Sequence, residues 1–168
     1  LAVVLQSYCG MSTSFAAAHF NQGRVPKFQL AFRSGRLLEL RMLESFRTAS
    51  DIEELSDAIW EQLEKTRGRV VICSDYRLVS MVLSPERAEE WGSMMSATSH
   101  RVERSAILLD KDKATFNLQL RRVVVQAGNR DRRFFFEEEA AKDFLGAVLN
   151  DDERDRVSRF CSGETLSF

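Results

Sequence analysis

Apolar residues along this chain change period in a regular order. Phe28-Gln29-Leu30-Ala31-Phe32 alternates as a strand does, Ser34-Gly35 supply a turn, and Arg36 to Leu43 carries a second apolar run, so the segment predicts a β-hairpin. Ser50 then precedes an acidic first turn of Asp51, Glu53 and Glu54, and Ile52, Leu55, Ile59 and Leu63 keep one helical stripe that Gly68 stops. Arg69 to Ser74 reads as a strand running into Asp75, followed by a loop through Leu83 and a helix carrying Ala88, Trp91 and Met95. Val102 to Leu109 predicts the next strand, and its unbroken Ala106-Ile107-Leu108-Leu109 suits a strand covered on both faces.

Asp110 or Asp112 is the expected cap of a helix with Phe116, Leu120, Val123, Val124 and Ala127 on one face, ending at Gly128-Asn129. A short strand, Arg133 to Phe136, leads into a helix from Glu137 to Leu149 with Ala141, Phe144, Leu145 and Val148 as its apolar positions. Asp151 to Phe160 adds a last helical turn or two. A hairpin followed by helix and strand in alternation predicts an α/β fold. Its strands are mostly parallel, its first hairpin gives an antiparallel edge, and its helices pack on the sheet. The expected partition is a poorly ordered leader over 1–26, one domain over 27–150, and a C-terminal helical extension and tail over 151–168. Met11-Ser12-Thr13-Ser14 reads as a second start, which leaves open whether residues before Met11 belong to the native protein.

Composition narrows this picture. With 168 residues and 44% hydrophobic content the chain can bury one substantial core, and a net charge of -1 favours no polyanionic partner, so nucleic acid is not expected. No apolar run approaches the roughly 18 residues of a membrane span, and an integral membrane protein is excluded. Leu1 to Leu5 lacks a basic flank and Tyr8 is too large for a processing site before Cys9, so secretion is not expected. Cys9, Cys73 and Cys161 have no close spacing, which points away from a disulfide framework or a thiolate metal site and towards the cytoplasm.

Candidate chemistry is sparse. Ser84-Pro85-Glu86 is a helix start: serine as N-cap, proline at the first helical position, and glutamate at the positive end of the dipole. Cys73 follows an apolar strand as a phosphatase nucleophile does, but Val79 stands six positions on where an arginine is needed, so a buried core thiol is the better reading. His19 and His100 are isolated. Trp60 lies off its helix's main stripe, as a partly exposed contact or a cover for the hairpin edge. No catalytic residue, metal ligand or cofactor is expected. Lys111, Lys113, Arg121, Arg122, Arg130, Arg132 and Arg133 face only Asp112 and Asp131 across residues 111 to 133. That stretch is either a solvated face balanced by Glu137-Glu138-Glu139 or an anion-binding surface built on Arg121, Arg122, Arg130, Arg132 and Arg133, and the first reading is favoured.

The element order carries a resemblance. So do the strand from Val70 to Asp75, the loop Tyr76-Arg77-Leu78-Val79 before a helix, and Arg101-Val102-Glu103-Arg104-Ser105-Ala106-Ile107-Leu108 leading the next strand. Over residues 27 to 149 the chain resembles the STAS family of bacterial anti-sigma-factor antagonists, and especially its lipid-binding-like branch. The resemblance implies a serine nine positions after the strand-ending aspartate, phosphorylated by a partner kinase, and counting from Asp75 reaches Ser84. Leu83 and Pro85-Glu86 depart from the family's Asp-Ser-Ser-Gly-like turn, so capping is the preferred role of Ser84 and the location alone is carried over. The implied function is a non-catalytic signalling module that binds a regulatory protein, kinase-like or otherwise, through Asp75, Tyr76, Arg77, Ser80, Ser84 and Glu86. The alternative is a domain for a small apolar ligand or lipid with a basic rim. A homodimer is compatible with either.

Overall fold

The computed structural model describes residues 26–164, so the expected leader lies outside it except for Pro26. Five strands, β1 (Phe28–Ser34), β2 (Leu37–Met42), β3 (Val70–Asp75), β4 (Val102–Leu108) and β5 (Arg132–Phe135), form one sheet in the order β1-β2-β3-β4-β5. β1 and β2 are antiparallel about Gly35, whose φ of 50° suits the tight turn, and the remaining pairs are parallel. Helices α1 (Ala49–Glu64), α2 (Pro85–Ala97) and α3 (Ala114–Gln126) are the crossovers. All three cover one face, where Leu40, Met42, Val70, Val102 and Ile107 meet Leu55, Leu63, Trp91, Phe116 and Leu120.

The other face is covered by α4 (Glu138–Gly146) and α5 (Asp151–Cys161). Leu37, Val71, Cys73, Ala106 and Leu108 pack there against Ala141, Leu145, Val157, Phe160 and Cys161. The α/β architecture is therefore as the periodicity predicts, with β4 covered on both sides. Among the described residues no helix is long and apolar enough to cross a membrane.

Several boundaries differ from the sequence reading. The last helical stretch is an 11-residue helix rather than a turn or two, because Asn150 and Glu153 form a reciprocal capping box at its start. It is separate from α4, which ends at Gly146 rather than Leu149. Thr48 caps α1, and Lys113 rather than an aspartate precedes α3, since Asp110 instead accepts the backbone N–H of Asp112 in the turn. β5 begins one residue early, which leaves Phe136 outside the strand and 42% exposed.

β2 carries Glu39 and Arg41 into the second face, and α5 meets both. Arg156 donates from Nε and Nη2 to the two oxygens of Glu39 at 2.5 and 2.7 Å, and Glu39 is 0% exposed. Arg41 donates to the backbone carbonyls of Glu164 and Phe160 at 2.8 and 2.6 Å, with its guanidinium 4.6 Å from the Phe160 ring centroid. These bonds fasten the end of α5 to β2.

Asp51 fastens the opposite layer. Burial pushes its carboxyl pKa up, but Lys27 and the backbone N–H groups of Arg47 and Thr48 all donate to it and together hold it well below the ordinary aspartate value of 3.8. A depressed carboxyl contributes stability that is fully present above the unfolded pKa and is lost as pH falls through the folded one. Asp51→Asn is therefore expected to be less stable than wild type at neutral pH, with the gap closing as pH drops below 3.8. Urea titrations at several pH values check this; a gap constant with pH would show that Asp51 acts through packing alone.

Candidate functional site

β3 delivers Asp75 to the carboxyl end of the parallel sheet, the end where open α/β sheets commonly place their sites. The carboxylate is buried and fully engaged. It accepts from the backbone N–H, Nε and Nη2 of Arg77 at 3.1, 2.9 and 2.9 Å, and from Nε of Arg41 at 3.4 Å. Arg77 also donates to Glu138 at 2.5 Å and to the carbonyl of Cys161 at 2.8 Å. The bond to Asp75, with that to Glu138, pushes its pKa above the usual arginine value. One guanidinium thus ties the end of β3 to the start of α4 and the end of α5.

Tyr76, expected to face a partner, is instead buried in the core. Its ring centroid lies 5.7 Å from that of Trp91 and 6.2 Å from that of Phe116, and burial pushes its phenol pKa up. Beyond it the loop alternates. Val79, Met81 and Leu83 point inward, while Ser80 is exposed and Leu78 and Val82 are 64% and 72% exposed. The inner side is held by Gln119, which accepts from the N–H of Leu83 at 3.0 Å and donates to its carbonyl at 2.9 Å. Ser45 donates to the carbonyl of Ser80 at 2.8 Å, and Lys113 donates to that of Arg77.

Ser84 is the N-cap of α2, its Oγ accepting the N–H of Arg87 at 3.4 Å, with Pro85 next and Glu86 exposed. The Ser84 hydroxyl also holds the Glu86 carboxyl below the usual range. Of the six residues expected on the interaction surface, Ser80, Ser84 and Glu86 share the outer side of the loop and helix start. Asp75 and Tyr76 lie beneath it, and Arg77 is partly exposed between them. Leu78 and Val82 are the contact-capable residues that sequence reasoning missed. The signal was present in Leu78-Val79-Ser80-Met81-Val82-Leu83, an apolar run interrupted only at Ser80, in which apolar residues at both alternate positions hid which side chains face out.

Cys73 and Cys161, 88 positions apart, are both buried with their sulfurs 3.8 Å apart. Contact with Cys161 and burial push the Cys73 thiol well up, as befits a core thiol rather than a nucleophile. His100 sits in a 3-10 turn with its ring 6.4 Å from half-buried Trp60.

The structure brings Arg121, Arg130 and Arg132 of the candidate anion-binding arginines to one cleft, and Arg133 stands at its edge with its guanidinium turned to the Phe144 ring on the other face of the sheet, 4.8 Å from the ring centroid. The cleft is open, about 940 Å³, and lies between the end of α3, the following turn and β5, lined also by Val124, Val125 and Phe134. Arg122 is parted from them and lines a separate groove between α2 and α3. Arg132 is buried, at 8% exposed, and donates to Oγ1 of Thr98 at 3.3 Å.

The sequence matches no family model and no curated protein. Among solved structures it is similar to an uncharacterized protein of the DUF3478 family with a SpoIIAA-like fold from Shewanella loihica PV-4. The likeness has a TM-score of 0.54 at 16% identity and covers 73% of this chain and 96% of that one. With its antiparallel first pair, parallel remainder and helices on the sheet, the chain has the SpoIIAA-like fold, the STAS-like fold of anti-sigma-factor antagonists.

Proposed function

We propose that this chain is a non-catalytic, cytoplasmic interaction module of bacterial signalling, binding a regulatory protein through the β3–α2 loop and the start of α2. One observation carries the reading. Leu78 and Val82 stand exposed on a loop whose opposite side is fastened by Gln119, Ser45 and Lys113, so an apolar contact is presented on a preorganised backbone. Ser80 and Glu86 supply polar groups beside it, and Arg77 with Asp75 fixes the base of the loop. Ser84 enters as the cap that sets the direction of α2.

Leu78→Ser with Val82→Ser is expected to abolish recovery of a signalling partner, kinase-like or similar, in affinity purification from the native host. Glu86→Lys should weaken it. Both variants alter exposed side chains and should melt as wild type does. Recovery of the same partner in undiminished amount by the double variant would remove this surface.

A second reading, a domain for a small apolar ligand or lipid, is favoured by the arginine-rimmed cleft between α3 and β5. The cleft lies at the end of α3 remote from the loop. The two readings therefore concern different surfaces, and a module using both is consistent with the fold.

A further inference from the structure

The cleft between α3 and β5 is electrostatically unbalanced. Asp131 is the single acidic residue from 114 to 136, and among the described residues none of Arg121, Arg130, Arg132 and Arg133 is ion-paired to a carboxylate. Arginines on an open edge strand commonly serve to keep other strands from pairing with it, and β5 is such an edge. That role accounts for exposed Arg130 and Arg133, since a guarding charge works from water. It does not account for Arg132, which is buried and whose Nη1 has no hydrogen-bond partner. Burial lowers its pKa to about 10, the mark of a guanidinium without a neighbouring anion.

The rest of the wall is amphipathic. The Arg121 guanidinium lies 5.3 Å from the Phe134 ring centroid and 5.8 Å from that of Phe136, which orients it at the mouth. Val125, 77% exposed, offers an apolar surface beside it. Several guanidiniums around one space suit a phosphate better than a single carboxylate, because each can share a different oxygen.

We propose that this cleft binds a phosphate ester with an apolar body, its phosphate held by Arg121 and Arg130 above the buried charge of Arg132 and its apolar part against Val125 and Phe134. The proposal deepens the ligand-binding reading and rests on it. The phosphate belongs either to a soluble ester or to a lipid headgroup.

The test uses the full chain, Arg121→Gln with Arg130→Gln, and Arg122→Gln as a basic control outside the cleft, all three exposed positions whose variants should keep the wild-type fold. Calorimetric titration with inorganic pyrophosphate, and flotation with phosphatidylglycerol vesicles against phosphatidylcholine vesicles, supply the probes. At least one phosphate probe is expected to bind, with affinity falling about tenfold or more in the double variant. Arg122→Gln should bind as wild type does. Pyrophosphate binding without vesicle binding assigns a soluble ester, and vesicle binding alone assigns a headgroup. No binding of either probe overturns the proposal, as does equal loss in Arg122→Gln or no loss in the double variant. Native mass spectrometry separates the two levels: a co-purified ligand that the double variant retains leaves ligand binding standing and removes this cleft as its site.

Discussion

Glu39→Ala is expected to lower the free energy of unfolding by about 3 kcal/mol, read as a shift of the urea midpoint, because it removes both buried acceptors of the Arg156 guanidinium and leaves it only the half-exposed Glu164 carboxylate, 2.9 Å from Nη1. Small domains are stable by only about 5–15 kcal/mol, so the variant should be close to unfolding at ambient temperature. The cause is distinguishable from simple loss of volume. Glu39→Leu combined with Arg156→Met removes both charges while keeping the space filled, and should recover most of the lost stability, since apolar replacements of buried ion pairs are often neutral or better. If the paired replacement is as unstable as Glu39→Ala, the pair matters for geometry rather than for charge compensation.

Trp91→Ala should cost a similar amount, about 3–5 kcal/mol, through the cavity it opens beneath α2. The indole is fully buried, with Phe46 and Tyr76 ring centroids 5.6 and 5.7 Å away. Its Nε1–H has no hydrogen-bond partner, so Trp91→Phe removes an unsatisfied donor together with volume and should cost distinctly less than the alanine variant. Equal losses in the two variants would show that the cavity's volume does not set the cost. Tyr76 sits on the same cluster, so the Trp91→Ala cavity also opens beneath the β3–α2 loop. Weaker partner binding by this variant would then report on loop support rather than on direct contact.

The parts of the fold that were legible in the sequence are those whose periodicity is local. The stripe of Ile52, Leu55, Ile59 and Leu63 needs no knowledge of what it packs against, and the run from Ala106 to Leu109 announces a strand without a wet face. The illegible parts depend on partners far along the chain. Glu39 and Arg41 alternate with leucines as a solvated strand face does, and only α5, more than a hundred residues later, shows that they are covered. The α5 sequence is itself mostly charged, and its weight in the core rests on Val157, Phe160 and Cys161 together with Glu153 and Arg156, whose burial no local pattern signals.

The candidate site shows the same division. Ser84 as a helix cap was readable from three adjacent residues, whereas Tyr76, flanked by Asp75 and Arg77, gave no local sign that it turns inward. On β5 neighbouring side chains take opposite faces, so Arg132 lies beneath the layer of α1 to α3 while Arg133 reaches Phe144, its guanidinium 4.8 Å from that ring centroid, on the other face.

The closure of the second sheet face by α5 has a consequence during synthesis. Strands β2 to β4 leave the ribosome with Leu37, Val71, Cys73, Ala106 and Leu108 bare on that side, and Val157, Phe160 and Cys161, which help to cover them, are translated only after all five strands of the sheet. Until then the nascent chain presents a wide apolar surface together with Glu39 and Arg41 lacking their α5 partners, a form that favours chaperone engagement over early folding. Ribosomes stalled within α5 should therefore hold a protease-sensitive chain, and those stalled well beyond it a resistant one.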